Sequence, residues 1–185
     1  MGSLSELDHP PNPNSALTAF IQSTEPPSSN SHTPHHTHLA AHVLHNLKYQ
    51  HNWTDLRLHT HSPLSPSTPL PRPLVSGLPP QRIYLHPDDQ IDLLQRREHD
   101  ASKRPEPEWI LPTHLKEKWT LRTFAEVFDS IALVPPGENE PTEIERDAAW
   151  TERRRQKRLL LATVNDDSTV VFYIIHDGIV KPRQN

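Results

Sequence analysis

Residues 158–185 read "RLLLATVNDDSTVVFYIIHDGIVKPRQN". They contain two almost wholly apolar runs, Leu159–Val164 and Val170–Ile175, joined by a polar tip with the adjacent aspartates Asp166 and Asp167. Runs of this length between turn formers read as strands covered on both faces, because a strand with one wet face alternates polar and apolar residues. The chain therefore closes on a β-hairpin. Few residues follow the second run, so part of its cover is expected from another protein.

Working back from the hairpin, residues 134–158, "VPPGENEPTEIERDAAWTERRRQKR", break the chain with prolines and a glycine and set an acidic stretch against a basic one. Before them Thr120 can cap a helix in which Leu121, Phe124, Ala125, Phe128 and Ile131 recur at helical spacing. "EWILPTH" (108–114) and "QRIYLHP" (81–87) read as strands limited by their prolines, and the charged residues 88–107 between them as a solvated helix or loop. "WTDLRLH" (53–59) reads as a further strand, followed by the proline-rich "SPLSPSTPLPRP" (62–73), an extended and exposed insertion by character. Leu39, Val43, Leu44 and Leu47 form one apolar stripe on a helix running to about Gln50. Residues 1–36 are rich in Pro, Ser, Asn and His, with only Ala16–Ile21 apolar, and read as a disordered tail whose removal is expected to leave stability nearly unchanged. The folded domain is placed at 37–185, with loop insertions near 62–73 and 132–155. Its order of helix, two or three strands, helix and hairpin specifies an α/β domain with a mixed or antiparallel sheet flanked by helices.

Composition narrows the function. The 21 prolines among 185 residues exceed the usual share of about 5%, while glycine is scarce at 4, so a sizeable part is expected not to pack. A net charge of -4 provides no global basic field for nucleic acid. The absence of cysteine excludes disulfides, thiol catalysis and cysteine-ligated zinc, and suits a reducing compartment. No run approaches the roughly 18 apolar residues of a membrane span, and the polar start lacks a signal-peptide core. A soluble, intracellular protein is expected.

Ten of the 14 histidines precede Ser62, and "HTPHHTH" holds His32, His35, His36 and His38. Imidazoles bind zinc or copper, but a Pro/Ser/Thr tract lacks the fixed geometry and supporting hydrogen bonds of a site, so no metal or cofactor is expected. His42 and His45 read as helix-surface residues. The run Arg153, Arg154, Arg155, Gln156, Lys157, Arg158 could meet RNA phosphates, although Glu138, Glu140, Glu143, Glu145, Asp147 and Glu152 can neutralise it locally. No phosphate-cradling glycine motif is present. Trp53, Trp109, Trp119 and Trp150 each lie beside an expected element, where core packing outweighs base stacking.

Residues 159–185 with their DDST and DG-x-x-x-P-x-Q-N patterns, 108–131 ("EWILPTHLKEKWTLRTFAEVFDSI") and 78–94 ("LPPQRIYLHPDDQIDLL") resemble the small accessory, Sen fifteen, subunit of the eukaryotic tRNA-splicing endonuclease in its fungal form. The resemblance spans roughly residues 39–185. It implies the C-terminal fold of the tRNA-intron endonucleases and a heterotetramer of two catalytic and two structural subunits, located in the nucleus or on the cytosolic face of the mitochondrial outer membrane. Catalytic members use a Tyr, His and Lys set. Here Tyr84, His99 and Lys157 are the nearest set, position 94 is Leu with His86 and His99 the nearest histidines, and neither Tyr nor His occurs from Leu115 to Arg158. The resemblance thus implies a non-catalytic subunit that touches precursor tRNA only indirectly. It further implies that Asp166 and Asp167 enter a basic cleft on a catalytic subunit, and that Val170, Phe172 and Ile174 of the last strand pack against a neighbour. Whether the lone chain homodimerises through that strand stays open. The alternative is a free-standing RNA-binding or degenerate nuclease domain using Arg153–Arg158.

Overall fold

The computed structural model describes Ser15, Phe20 and residues 33–85, 87–95, 105–136 and 157–178. Helix α1, Pro34–Tyr49, begins where Pro34 presets the backbone torsion of the first helical position. That start lies before residue 37, so His35, His36 and His38 sit on helical turns rather than in a tail. Strands β1 (Thr54–His61), β2 (Pro69–Leu78), β3 (Glu108–His114), β4 (Arg158–Val164) and β5 (Val170–His176) form one sheet in the order β1-β2-β3-β4-β5. Helices α2 (Pro87–Gln95) and α3 (Leu121–Ser130) lie between β2 and β3 and between β3 and β4. The β3–β4 pair is parallel and the other three are antiparallel. A parallel pair needs a long crossover, which the segment carrying α3 provides. The sheet flanked by helices is as expected, and of the two alternatives, mixed or antiparallel, it is the mixed one.

Two apolar layers hold the sheet. On one face Leu39, Ala40, Val43, Leu44 and Leu47 of α1 pack on Val75, Ile110, Leu160, Ala162 and Val164. On the other, Val127, Phe128 and Ile131 pack on Leu74, Trp109, Leu111 and Leu159. Successive residues of β4 feed opposite layers, which is why that run is apolar throughout. Trp53 and Trp109 are core residues, and the Trp109 indole N–H donates to the Ala132 carbonyl at 2.9 Å. Phe20, inside the stretch read as a tail, packs on the α1 layer with its ring edge-on to His45 (5.2 Å) and Tyr49 (6.3 Å).

Three readings need correction. The second strand is Pro69–Leu78, not "QRIYLHP", and it begins inside the proline-rich stretch read as a loop. Prolines lack the N–H that a ladder uses, and the register accommodates this: β2 meets β3 only through Val75–Gly77, and its pairing with β1 shifts between His59 and His61. Residues 79–85 carry no strand and are tied down by side chains. Arg82 bonds Glu106, and Arg158 bonds Glu106 and Glu108 with its guanidinium over the Tyr84 ring. In α3, Thr120 caps as expected, its hydroxyl accepting from the Thr123 N–H at 3.2 Å, but Leu121 and Ala125 stay in solvent. The ten-residue helix buries the narrower stripe of Val127 and Phe128, with Phe124 partly covered and Ile131 buried at the C-cap.

Candidate partner-binding site

The parallel register of β3 and β4 builds one end of the site. It sets His114 beside Val164, and the Leu115 N–H extends the pairing to the Val164 carbonyl at 2.9 Å. Two residues further on, the hairpin turns. Asn165 closes on Thr169 (2.9 Å), the Ser168 N–H reaches the Asn165 carbonyl (3.0 Å), and Ser168 sits in the left-handed region at φ 68°. Asp167 serves this turn, its Oδ1 accepting from the Thr169 N–H at 3.0 Å, a bond that lowers its pKa. Asp166 points back across the chain: Oδ1 meets His114 Nε2 at 3.0 Å and Oδ2 meets the Lys116 ammonium. The Lys116 hydrogen bond is the main cause of a pKa below the ordinary aspartate value, with His114 adding to it.

Around this end lie further charges. Glu117 is gripped by Arg72 through both oxygens and by the Thr113 hydroxyl at 2.9 Å. Burial pushes its carboxyl up, but the Arg72 and Thr113 bonds outweigh burial and hold it below the usual range. Arg72 also stacks over Trp119. Burial and the charge of His45 lower the His42 imidazole pKa, against a hydrogen bond to the Ser168 backbone. His42 is thus half-buried, packed where helix and hairpin tip meet. Among the described residues no three His, Asp or Glu side chains are arranged to hold a metal ion.

The other component is the edge strand. Val170, Phe172 and Ile174 face the α1 layer: Val170 and Phe172 pack on it, Phe172 edge-on to His51 at 5.3 Å, and Ile174 borders a shallow depression with Ile83, Tyr84 and Leu160. Ile175 packs on the α3 layer. The side chains left most open are Tyr173 (56% exposed) and Val171 (44%) on the α3 face, with Ile174 (37%) on the other. Sequence reasoning singled out Val170, Phe172 and Ile174 and not the more exposed Val171 and Tyr173, because an unbroken apolar run does not say which face its own helix covers. It also missed His114 and Lys116, which reach Asp166 only through the parallel register.

The two edges of the sheet differ. β1 shifts register twice and places Asp55 at φ 49°, whereas β5 pairs residue for residue with β4 from Arg158↔His176 to Val164↔Val170 and, among the described residues, leaves a regular outer edge. Irregular edges resist strand addition and regular ones accept it.

The basic run is mostly outside the described residues, including Arg153, Arg154 and Arg155. Its described cations are engaged inside the protein. Lys157 donates to the Phe128 carbonyl at 2.9 Å near the end of α3, and Arg158 is held by Glu106 and Glu108. Tyr84 lies against the His176 ring at 4.9 Å, and His99 is outside the described residues. No helix among the described residues is long and apolar enough to cross a membrane.

The model of the Sen15 protein family matches residues 42–185, from the middle of α1 onward. The chain is 50% identical over 150 residues to a probable tRNA-splicing endonuclease subunit, tsp-1, of Neurospora crassa, an alignment covering 77% of this chain and 64% of that protein. It is 26% identical over 140 residues to a probable tRNA-splicing endonuclease subunit, sen15, of Schizosaccharomyces pombe, covering 75% of this chain and 77% of that one. The match spans a little under two thirds of the Neurospora protein. The family match takes in the whole sheet, the hairpin and its acidic tip, and on that ground the chain belongs to the Sen15 protein family.

Proposed function

We propose that this chain is a non-catalytic structural subunit of a tRNA-splicing endonuclease, joining two catalytic subunits and one other structural subunit in a heterotetramer that excises introns from precursor tRNA in the nucleus. The names of both relatives support membership of such a complex. The observation that carries the structural role is the regular β5 edge with Val171, Tyr173 and Ile174 open beside it. A neighbouring strand or apolar surface seated there gains backbone hydrogen bonds and dry side-chain contact, the usual terms of strand-edge association. The acidic tip at one end of that edge suits a basic cleft on a catalytic subunit. The non-catalytic reading rests on the use already made of Lys157 and Tyr84, which support a helix end and a ring stack instead of facing a common space.

The test is reconstitution. The chain alone, the other subunits alone and the mixture are each given an intron-containing precursor tRNA. Cleavage only by the mixture is expected, with all four proteins co-eluting. Cleavage by the chain alone would overturn the reading.

A further inference from the structure

The acidic tip has an occupant already. We propose that Asp166 is held in cis, clamped by His114 and Lys116 against the β3–α3 loop of its own chain, and that this clamp opens when the carboxylate meets a cationic cleft on another subunit. The inference rests on the assembly role proposed above and adds a regulation of that contact.

The clamp is built by the fold. The parallel register brings His114 to the end of β4, and the Lys116 N–H donates to His114 Nδ1 at 3.2 Å. With Nδ1 accepting, the neutral ring carries its proton on Nε2, the atom that faces Asp166 Oδ1 at 3.0 Å. Lys116 then reaches the second oxygen with its ammonium, so both carboxylate oxygens are in use. The same two residues thus supply a ring nitrogen and an ammonium to the two carboxylate oxygens. Their surroundings keep them available. The neighbouring carboxylate Glu117 is taken by Arg72 and Thr113, with His35 at 3.8 Å and the His35 ring 6.2 Å from that of His114.

The clamp is also weak enough to exchange. Lys116 and Asp166 are both largely exposed (72% and 60% of their side chains), and pairs of that exposure shift an equilibrium by no more than about fivefold. A cleft holding an arginine can offer two parallel donors and exclude water, which a single surface lysine cannot match. Free in solution Asp166 is therefore paired and docked on its own loop, and in the complex that pairing is exchanged.

The experiment uses the full chain and the other purified subunits, following association rates at low and moderate salt. In the isolated chain, the Asp166 side-chain carbon is followed by NMR as pH is lowered. Lys116→Met is the opening variant, Asp166→Asn removes the ligand, and Lys118→Met takes away an equal charge two residues on. Lys116→Met should raise the Asp166 titration midpoint and speed association two- to fivefold at low salt, less at moderate salt. Lys118→Met should leave the midpoint in place, and Asp166→Asn should slow association. An unmoved midpoint in Lys116→Met shows that the pair does not exist in solution. A moved midpoint without acceleration, or equal acceleration by Lys118→Met, removes the clamp while Asp166→Asn still upholds the tip's role in assembly. Normal association of Asp166→Asn removes the tip from assembly, and the clamp proposal with it.

Discussion

Replacing Tyr173 by alanine tests whether the α3-side face of β5 is where a neighbour sits. Tyr173 is 56% exposed in the lone chain. Aromatic side chains bury roughly 150–250 Å² when covered, so about 100 Å² of this ring is available to a partner. At about 25 cal/mol per Å² its loss weakens assembly by about 2–3 kcal/mol, or roughly 30- to 150-fold in Kd. The chain's own fold should lose less than about 1 kcal/mol, since an exposed strand position contributes mainly its cross-strand contact with Leu161. Phe172→Ala is the opposing control. That ring packs on the α1 layer and against His51, so its truncation should cost the isolated chain about 2 kcal/mol, below the 3–5 of a fully buried ring. Urea unfolding of each variant gives the first quantity, and sedimentation with the other subunits gives the second. Wild-type affinity in Tyr173→Ala would place the interface elsewhere, and unfolding as severe as that of Phe172→Ala would assign Tyr173 to the chain's own core.

Other consequences can be measured on the isolated chain. Ser168→Gly relieves a left-handed backbone and should stabilise by about 0.5–1 kcal/mol, read as a higher urea midpoint at unchanged slope; a lower midpoint would mean that Ser168 does not hold φ 68° in solution. Because the Glu117 carboxyl is held below the ordinary glutamate value of about 4.5, its contribution is complete above that pH and is lost as pH falls through the folded value. Stability should therefore fall less steeply from pH 5 to pH 3 in Glu117→Gln than in the wild type, and parallel curves would disprove the Arg72 grip. Glu108→Ala leaves the largely buried Arg158 with Glu106 alone and should cost about 3 kcal/mol by urea unfolding; a loss below 1 would show the pair to be open to water. Phe20→Ala should cost about 1 kcal/mol, whereas no change in the urea midpoint would detach Phe20 from the α1 layer.

Local chemistry was legible wherever it acts over a few residues. The stripe from Leu39 to Leu47, the Thr120 cap and the two apolar runs each betray their element, because burial of one helix face or both strand faces leaves a period in the chain. The family resemblance read from residues 78–185 was legible for a related reason, since the terminal hairpin combines a turn and two strands in one short stretch. What failed involved competition between distant segments. β2 tolerates its prolines because its ladder to β3 runs only through Val75–Gly77 and its ladder to β1 shifts register between His59 and His61, a fact set by where β1 and β3 pair. "QRIYLHP" has a strand's composition, yet its Arg82 and Tyr84 are claimed by Glu106 and Arg158 from elsewhere in the chain. Leu121 keeps helical spacing but stays 90% exposed.

The amino-acid pattern alone establishes an apolar hairpin with a charged tip, two amphipathic helices over a sheet that is mixed or antiparallel, and the lack of any thiol chemistry. Only tertiary structure decided which face of β5 stays open and what Asp166 touches. The first depends on how far α1 and α3 extend over the sheet, the second on the parallel alignment of His114 with Val164, 50 positions along the chain. Periodicity records whether a side chain is buried. It carries no record of the partner, because burial is non-directional while a hydrogen bond needs two specific atoms brought within about 3 Å.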